Sequence, residues 1–342
     1  MTTNASTSEQ ASALIEDLIA VQADFPAFKI WKEHVPGRVR YVARSLSGLN
    51  PHTVVTSDLG ELREALEPSR ASGRTPFTTA QPNIARMYDY WLQGKDHFPA
   101  DRAAADAVTE KFPEVAQIAQ ANRTFLARAV RHVASQGITQ FVDLGAGLPT
   151  SPNTHEVAQQ AAPDARVCYV DNDPVVLAHA RAQLAIDDKV SVVAGDIRDP
   201  ATFLTAPALS SLIDPAAPVC VLLVSILHFL TADESDAAVA AIRRWLVPGS
   251  YLVISAGTST GTDPDLVRCL QAAYGDTAPV TGRTSDEIAA WFDGFSLARP
   301  GLADVWAWRP RGRERLPGSG VSRARFLAAV GRKVPVTPGW QP

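Results

Sequence analysis

Three acidic residues, each placed where an apolar run gives out, carry the chemistry most readily read from this chain. Asp143 falls within Phe141-Val142-Asp143-Leu144-Gly145-Ala146-Gly147-Leu148-Pro149-Thr150, Asp171 closes Val167-Cys168-Tyr169-Val170, and Asp196 follows Val190-Ser191-Val192-Val193-Ala194-Gly195. Gly145 and Gly147 tolerate φ > 0 and let the backbone approach a ligand closely, so a strand ending in this turn points to a nucleotide-type pocket. A tight turn that holds no ligand also selects glycine. The joint placement of the three acids at one sheet edge is what favours a ligand. Asp171, at the end of the second strand, is placed to accept both hydroxyls of a ribose. Asp196 with Ile197, after the third, suits an adenine amino group and an apolar contact to its ring.

Two adenosine cofactors compete for such a turn. A dinucleotide site wants G-x-G-x-x-G, because the pyrophosphate rests on a helix N-terminus and the third glycine permits close helix packing. Here the third position is Thr150, preceded by Pro149. S-adenosylmethionine carries no phosphate, and its cationic sulfonium and ammonium sit comfortably among carboxylates and carbonyls. A turn containing Asp143 fits that cofactor better than it fits pyrophosphate. An NAD-dependent oxidoreductase is thus a distant alternative.

The elements that must position these residues alternate. Strand-like runs at 138–142, 165–170, 190–194, 219–224 and 251–255 are separated by helical patterns, and their apolar character throughout indicates a parallel sheet covered on both faces. Two later strand-like runs, 302–308 and 325–330, have no helix between them and predict an antiparallel hairpin at one sheet edge. Asp233 is expected to cap the helix that runs through Ala241 and Trp245. Ahead of the sheet, residues 84–92 form a helix rich in aromatics (Tyr88, Tyr90, Trp91), suited to a lid over a small-molecule pocket. A helix near 116–133 carries Asn122 and Arg123.

The 342 residues allow one large domain with an appendage. Residues 1–70 read as a small accessory module: a polar, disordered start, a helix over 11–23, two strands paired around Pro36-Gly37, and a helix capped by Asp58 through Leu59, Leu62 and Leu66. With little core of its own, it is expected to dock on its neighbour or on a protein partner. Residues 71–80 are a linker, and 81–342 the main domain. With 46% hydrophobic and 20% charged residues and a net charge of -4, nothing drives the chain toward nucleic acid or an anionic membrane. Three distant cysteines, Cys168, Cys220 and Cys269, make neither a zinc spacing nor a disulfide framework. The polar start lacks the features of a signal peptide, and the longest apolar run, 219–230, is too short to span a bilayer, so a cytoplasmic location is expected.

The chain resembles class I S-adenosylmethionine-dependent methyltransferases, and more narrowly an actinobacterial-type family formerly of unknown function. The resemblance rests on Ala85-Arg86-Met87-Tyr88-Asp89-Tyr90 with Gly94-Lys95-Asp96, Ala121-Asn122-Arg123 with Phe125-Leu126, and the glycine turn itself. It continues through Tyr169-Val170-Asp171-Asn172-Asp173-Pro174, Leu227-His228-Phe229 and Ala329-Val330-Gly331-Arg332-Lys333, covering roughly residues 75–334. It implies a Rossmann-like, seven-stranded, mostly parallel sheet whose last strand inserts antiparallel. It also implies S-adenosyl-L-methionine as methyl donor, lying across Gly145, Asp171 and Asp196. Gly145 and Gly147 would lie under its methionine part, with Tyr88, Asp89 and Arg123 as lid-side and methionine-end candidates. Asp143, Ala146, Asn172, Ile197 and Ser225 complete the expected cofactor-binding set. His228, after the fourth strand, would face the reactive methyl group. Methyl transfer is an in-line displacement that gains rate from alignment and exclusion of water. An oxygen or nitrogen acceptor can also need a proton removed, for which a histidine has the right intrinsic pKa, so His228 is the candidate general base, set against simple packing beside the cofactor. No acidic metal site is recognisable. The expected activity is methylation of a small-molecule acceptor. The alternative is a cofactor-binding sensor or scaffold without transferase activity, in which residues 1–70 contact a partner.

Overall fold

The computed structural model describes Leu18, Val21 and residues 28–35, 38–45, 53–66, 81–185, 188–275, 277–310 and 324–335. The expected disordered start, most of the helix over 11–23, the Pro36-Gly37 turn, the linker and most of the stretch between the runs 302–308 and 325–330 lie outside the described residues.

In the N-terminal module, β1 (Phe28–Val35) and β2 (Arg38–Ser45) pair antiparallel with Phe28 opposite Ser45, and β3 (Thr53–Thr56) adds to the other side of β2. Alternation puts Phe28 and Ile30 inside and Lys29 outside, as a half-buried strand requires. Asp58 Oδ1 accepts the backbone N–H groups of Gly60 and Glu61 and so caps α1 (Leu59–Leu66), whose Leu62 and Leu66 close a small core with Tyr41, Ala43 and Val54. The strand β3 was not foreseen. Arg38 ties the module to the rest of the chain: its Nη2 donates to the Ala182 carbonyl at 2.6 Å.

The main sheet runs β6 (Val190–Ala194), β5 (Arg166–Asp171), β4 (Gln140–Leu144), β7 (Cys220–Val224), β8 (Tyr251–Thr258), β11 (Arg325–Lys333) and β10 (Ala303–Asp304). The first five are mutually parallel; β11 inserts antiparallel between β8 and the edge. This is the Rossmann-like class I fold that the resemblance implies. Its outer edge is split in two: β9 (Phe295–Leu297) pairs with Gly331 to Lys333 of β11, and β10 with Leu327 and Ala328. The described sheet therefore has eight strands. The strand expected over 302–308 shrinks to β10 because the chain turns inward after Asp304, burying Val305 and Trp308 completely.

Both faces of the sheet are covered, and the period-two alternation sorts each strand between two cores. Phe141, Tyr169 and Leu222 face one core, with α2 (Ile84–Trp91), α3 (Pro99–Lys111) and α4 (Val115–Ser135). Val142, Val170 and Leu223 face the other, with α7 (Pro200–Leu204), α8 (Pro207–Ser210) and α9 (Ala232–Trp245). Thr231 rather than Asp233 caps α9: its side chain accepts the Glu234 N–H while the Glu234 carboxylate accepts the Thr231 N–H, a reciprocal box that leaves Asp233 inside the first turn. Between the strands run α5 (Thr154–Ala161) and α6 (Pro174–Gln183), and after β8 come α10 (Pro264–Tyr274) and α11 (Ser285–Ala290). From β4 the chain moves to β5 and β6 on one side, then to β7 and β8 on the other. The switch point lies between β4 and β7, and the crevice opens at the carboxyl ends of the strands there. Among the described residues no helix is long and apolar enough to cross a membrane.

Candidate functional site

A cleft of about 1350 Å³, open mouth included, sits at this switch point. It brings together Tyr88, Arg123, Asp143, Gly145, Ala146, Gly147, Asp171, Asn172, Asp196, Ile197 and Ser225. These come from six places in the sequence. Two expected site residues, Asp89 and His228, do not line it.

The floor is the turn after β4. Gly145 and Gly147 both have φ +67°, a conformation that L side chains rarely adopt. Gly145 N–H bonds the Val170 carbonyl at 2.9 Å, and a Cβ on it would lie 2.9 Å from Ile226 Cγ1. A Cβ on Gly147 would meet nothing within 4 Å, so its space belongs to the cleft. Asp143, behind the turn, is buried and accepts the Thr154 hydroxyl at 2.6 Å; burial raises its pKa, opposed by Thr154 and by the nearby Arg123.

Asp171, at the tip of β5, joins two turns. Its Oδ2 accepts Gly147 N–H at 2.9 Å and its Oδ1 accepts Asp173 N–H at 2.9 Å. Desolvation nevertheless pushes its carboxyl up to about 6. Asp196, after β6, is held the other way. Arg198 grips it with Nε at 2.9 Å and Nη2 at 2.5 Å, and Asn172 Nδ2 adds a bond at 3.1 Å. The guanidinium holds the Asp196 carboxyl down at about 2. Arg198 was missed from the sequence, although its place two residues beyond Asp196 is the spacing of a side chain folding back across a turn.

The wall facing the floor comes from α2 and α4. Asn83 caps α2 by accepting Ala85 N–H at 2.8 Å, which turns Ile84, Ala85 and Tyr88 toward the cleft. Arg123 reaches from α4 to the carbonyls of Thr150 at 2.7 Å and Pro152 at 3.0 Å, bracing the loop that follows the glycine turn. Behind them runs a buried relay. Ser225 N–H donates to Ser255 Oγ at 3.1 Å, Ser255 Oγ donates to Asn122 Oδ1 at 2.6 Å, Asn122 Nδ2 donates to Tyr88 Oη at 3.3 Å, and Tyr88 Oη donates to the Ala119 carbonyl at 3.0 Å. Ser225 is a non-glycine residue at φ +62°, a strained conformation that this relay helps to hold. Asn122 and Ser255 are fully buried. Replacing Asn122 by Ala leaves the Ser255 hydroxyl without its acceptor and takes a donor from Tyr88; a loss of about 2–4 kcal/mol in urea unfolding is expected. A loss below about 0.5 kcal/mol would mean that the relay does not hold this wall.

Asp89 has a structural post instead. Buried on α2, it accepts Asp96 N–H and faces His97 Nδ1, both at 3.0 Å, and a Cβ on Gly94 would collide with its carboxylate. It fastens the turn that ends the aromatic helix. His228 lies next door, in a second, apolar pocket. Its expected titration near neutrality does not survive folding: burial lowers its pKa to about 3.

The helix that follows the glycine turn argues against pyrophosphate. The Thr150 N–H, at the position of the third glycine, is taken by Asn153 Oδ1 at 3.0 Å, and the Glu156 carboxylate closes the N-terminus of α5 on Asn153 N–H at 2.5 Å. An anion there would find these two donors already taken and the Glu156 carboxylate beside it. The groups that are present, acceptor carboxylates and carbonyls around an open glycine floor, fit a phosphate-free cationic ligand.

Residues 70–334 match the family model described as S-adenosyl methyltransferase. The chain belongs to the S-adenosyl methyltransferase family. Among its relatives is a Mycobacterium marinum protein with the provisional name S-adenosyl-L-methionine-dependent methyltransferase, 31% identical over 251 residues, covering 70% of this chain and 76% of the relative. A Thermobifida fusca crystal structure provisionally described as a methyltransferase is 42% identical, with a TM-score of 0.69, over 75% of this chain and 96% of that one. A DUF574-family protein from Streptomyces avermitilis is 38% identical, with a TM-score of 0.71, over 75% and 98%. This methyltransferase therefore uses S-adenosyl-L-methionine as its cofactor, and the match begins where the N-terminal module has ended.

Proposed function

We propose that the methyltransferase transfers the methyl group of S-adenosyl-L-methionine to a small-molecule acceptor, with the cofactor held in the cleft at the switch point. The carrying observation is Asp171, whose carboxylate bonds the glycine floor through Gly147 at 2.9 Å and lines the same cleft as Asp196 and Ile197. Asp171 takes the ribose hydroxyls, with Asn172 beside it, and Ile197 packs on the adenine ring. Gly145, Ala146 and Gly147 pass under the methionine part, and Tyr88, Arg123, Asp143 and Ser225 surround its charged end. Asp89 acts indirectly, by fixing the turn that follows Tyr88. When bound, the cofactor supplies an electrophilic methyl carbon. The residues of the chain orient the reactants and exclude water. Division of labour between an accessory module (1–70), a linker (71–80) and a catalytic domain (81–342), and a cytoplasmic location in keeping with free Cys168, Cys220 and Cys269, complete the reading.

Calorimetric titration of the full chain with S-adenosyl-L-methionine tests this reading: saturable binding at one site is expected, and its absence would remove the assignment of the cleft. Asp196 adds a finer expectation. Arg198 and Asn172 already donate to both of its oxygens, so an adenine amino group must compete with Arg198. The pair is partly solvated and so worth at most about 1 kcal/mol. Arg198→Ala is therefore expected to tighten cofactor binding by about two- to fivefold. A weakening of similar size would instead make Arg198 a direct contact to the cofactor.

A further inference from the structure

The second pocket, about 680 Å³ with its mouth, is lined by Phe112, Val115, Ile118, Tyr274 and Phe326 together with His228. Phe229 is the one described residue that lines both this pocket and the cofactor cleft. A single segment walls the two in turn: Thr277 to Pro279 face the cleft and Val280 to Gly282 face the pocket. The two spaces are thus neighbours across one aromatic ring.

Chemically they are opposites. The cleft is ringed by carboxylates; the pocket is walled by rings, with His228 at 4.1 Å from Phe229 and 5.1 Å from Phe326, and Phe229 at 5.4 Å from Tyr274, centroid to centroid. Its polar side chains are mostly committed. The Thr258 hydroxyl donates to the Arg283 carbonyl at 2.8 Å, the Thr262 hydroxyl to the Thr258 carbonyl at 2.5 Å, and Arg325 is paired with Asp304 at 3.2 Å. With its cation already balanced, the pocket offers no charge to an ionised guest. His228 stands apart. It is 9% exposed, its ring atom Nδ1 is buried without a hydrogen-bond partner, and its backbone carbonyl accepts the Thr281 N–H at 2.9 Å. A buried polar atom left unpaired costs about 1–3 kcal/mol, a cost that a ligand able to hydrogen-bond the ring can offset.

We infer that this pocket is the acceptor subsite, and that the acceptor is an uncharged hydroxylated aromatic molecule that stacks among Phe229, Tyr274 and Phe326 and hydrogen-bonds the imidazole of His228. The inference rests on the reading of the neighbouring cleft as the cofactor site. In the transfer step the acceptor's hydroxyl oxygen forms a bond to the methyl carbon. The carbon–sulfur bond of the donor breaks with its electron pair left on sulfur, giving S-adenosyl-L-homocysteine. The hydroxyl proton passes to the unprotonated nitrogen of His228, and from there to water once the methyl ether has left. A depressed pKa of about 3 suits this order of events. It keeps the imidazole neutral beside a cationic donor, yet leaves it far more basic than an ether oxygen that has just gained a methyl group.

2-Naphthol serves as the probe, with 2-naphthoate as its charged counterpart. The full chain saturated with S-adenosyl-L-homocysteine is expected to bind 2-naphthol at least tenfold more tightly than 2-naphthoate. His228→Phe, which keeps a ring but removes both nitrogens, should weaken naphthol binding at least tenfold, and Leu270→Trp, which fills the pocket from its rim, should abolish it. Both variants should bind S-adenosyl-L-homocysteine as the parent does, which also controls for folding. With methyl-tritiated S-adenosyl-L-methionine, label should appear in 2-methoxynaphthalene. Equal or preferred binding of naphthoate, naphthol binding indifferent to both substitutions, or bound naphthol without labelled ether would overturn the inference. Failure of the chain to bind S-adenosyl-L-homocysteine at all would instead remove the underlying cleft assignment.

Discussion

Asp171→Ala is expected to weaken S-adenosyl-L-methionine binding by about 100-fold or more. The size follows from how many bonds converge on one carboxylate. A charged acceptor contributes about 1.5–3 kcal/mol per hydrogen bond, so loss of both ribose hydroxyl contacts alone removes about 3–6 kcal/mol. The variant also frees Gly147 N–H and Asp173 N–H, which loosens the floor on which the cofactor rests. Protonation should imitate the substitution. Burial pushes the Asp171 carboxyl from an ordinary 3.8 up to about 6. Only the ionised form offers both oxygens as acceptors, so the affinity of the parent should fall about tenfold between pH 8 and pH 5. Stability responds with the opposite sign. The folded chain binds this proton more readily than the unfolded one, so the contribution of Asp171 to stability is fully present below 3.8 and is lost as pH rises through about 6. Asn at 171 keeps the shape and removes both dependences. Calorimetry from pH 5 to 8, paired with urea unfolding over the same range, separates the two effects; an unaltered affinity in Asp171→Ala would place the ribose elsewhere.

What the sequence disclosed and what it withheld divide along one physical line. Asp143, Asp171 and Asp196 were placed at one edge from local information alone, because apolar strands buried on both faces break the pattern only where they leave the sheet. The glycine turn was legible for the same reason. Failures came where a distant segment overrode a local preference. The run 302–308 has strand composition, but Arg128 on α4 donates to the Val305 and Trp308 carbonyls and the Trp308 ring is drawn fully inside, so only Ala303 and Asp304 stay in the sheet. His228 reads as a titrating side chain until Phe326, almost a hundred positions later, packs against it and excludes water. Thr277 to Pro279, between α10 and α11, enter the cleft with no signal in their own sequence. Asp89 lies on the expected aromatic helix, yet its contacts are set by Asp96 and His97 on the following turn. Thr53–Thr56 is a different failure: four β-branched residues form a strand too short to stand out as a periodic run.

Gly145→Ala and Gly147→Ala should separate folding from binding at the floor itself. Both positions have φ +67°, so each methyl group carries the left-handed penalty of about 1–2 kcal/mol. They differ in what that methyl meets. At position 145 it lies 2.9 Å from Cγ1, 3.0 Å from Cδ1 and 3.3 Å from Cβ of Ile226, a β-branched side chain whose stem cannot swing clear. A further overpacking cost of about 1–3 kcal/mol is expected, so Gly145→Ala should lose about 2–5 kcal/mol of unfolding free energy. At position 147 nothing in the protein lies within 4 Å, and the loss should stay near 1–2 kcal/mol. Its methyl group instead occupies the cleft, where it displaces the ligand, and cofactor affinity should drop at least tenfold. Urea unfolding and calorimetry on the two variants give four numbers with a fixed order. A Gly147→Ala variant that binds normally would mean that the cofactor does not rest on this turn, whatever the family of the chain. A Gly145→Ala variant as stable as its Gly147→Ala counterpart would mean that Ile226 yields, and that the contact between the turns after β4 and β7 does not set the depth of the cleft.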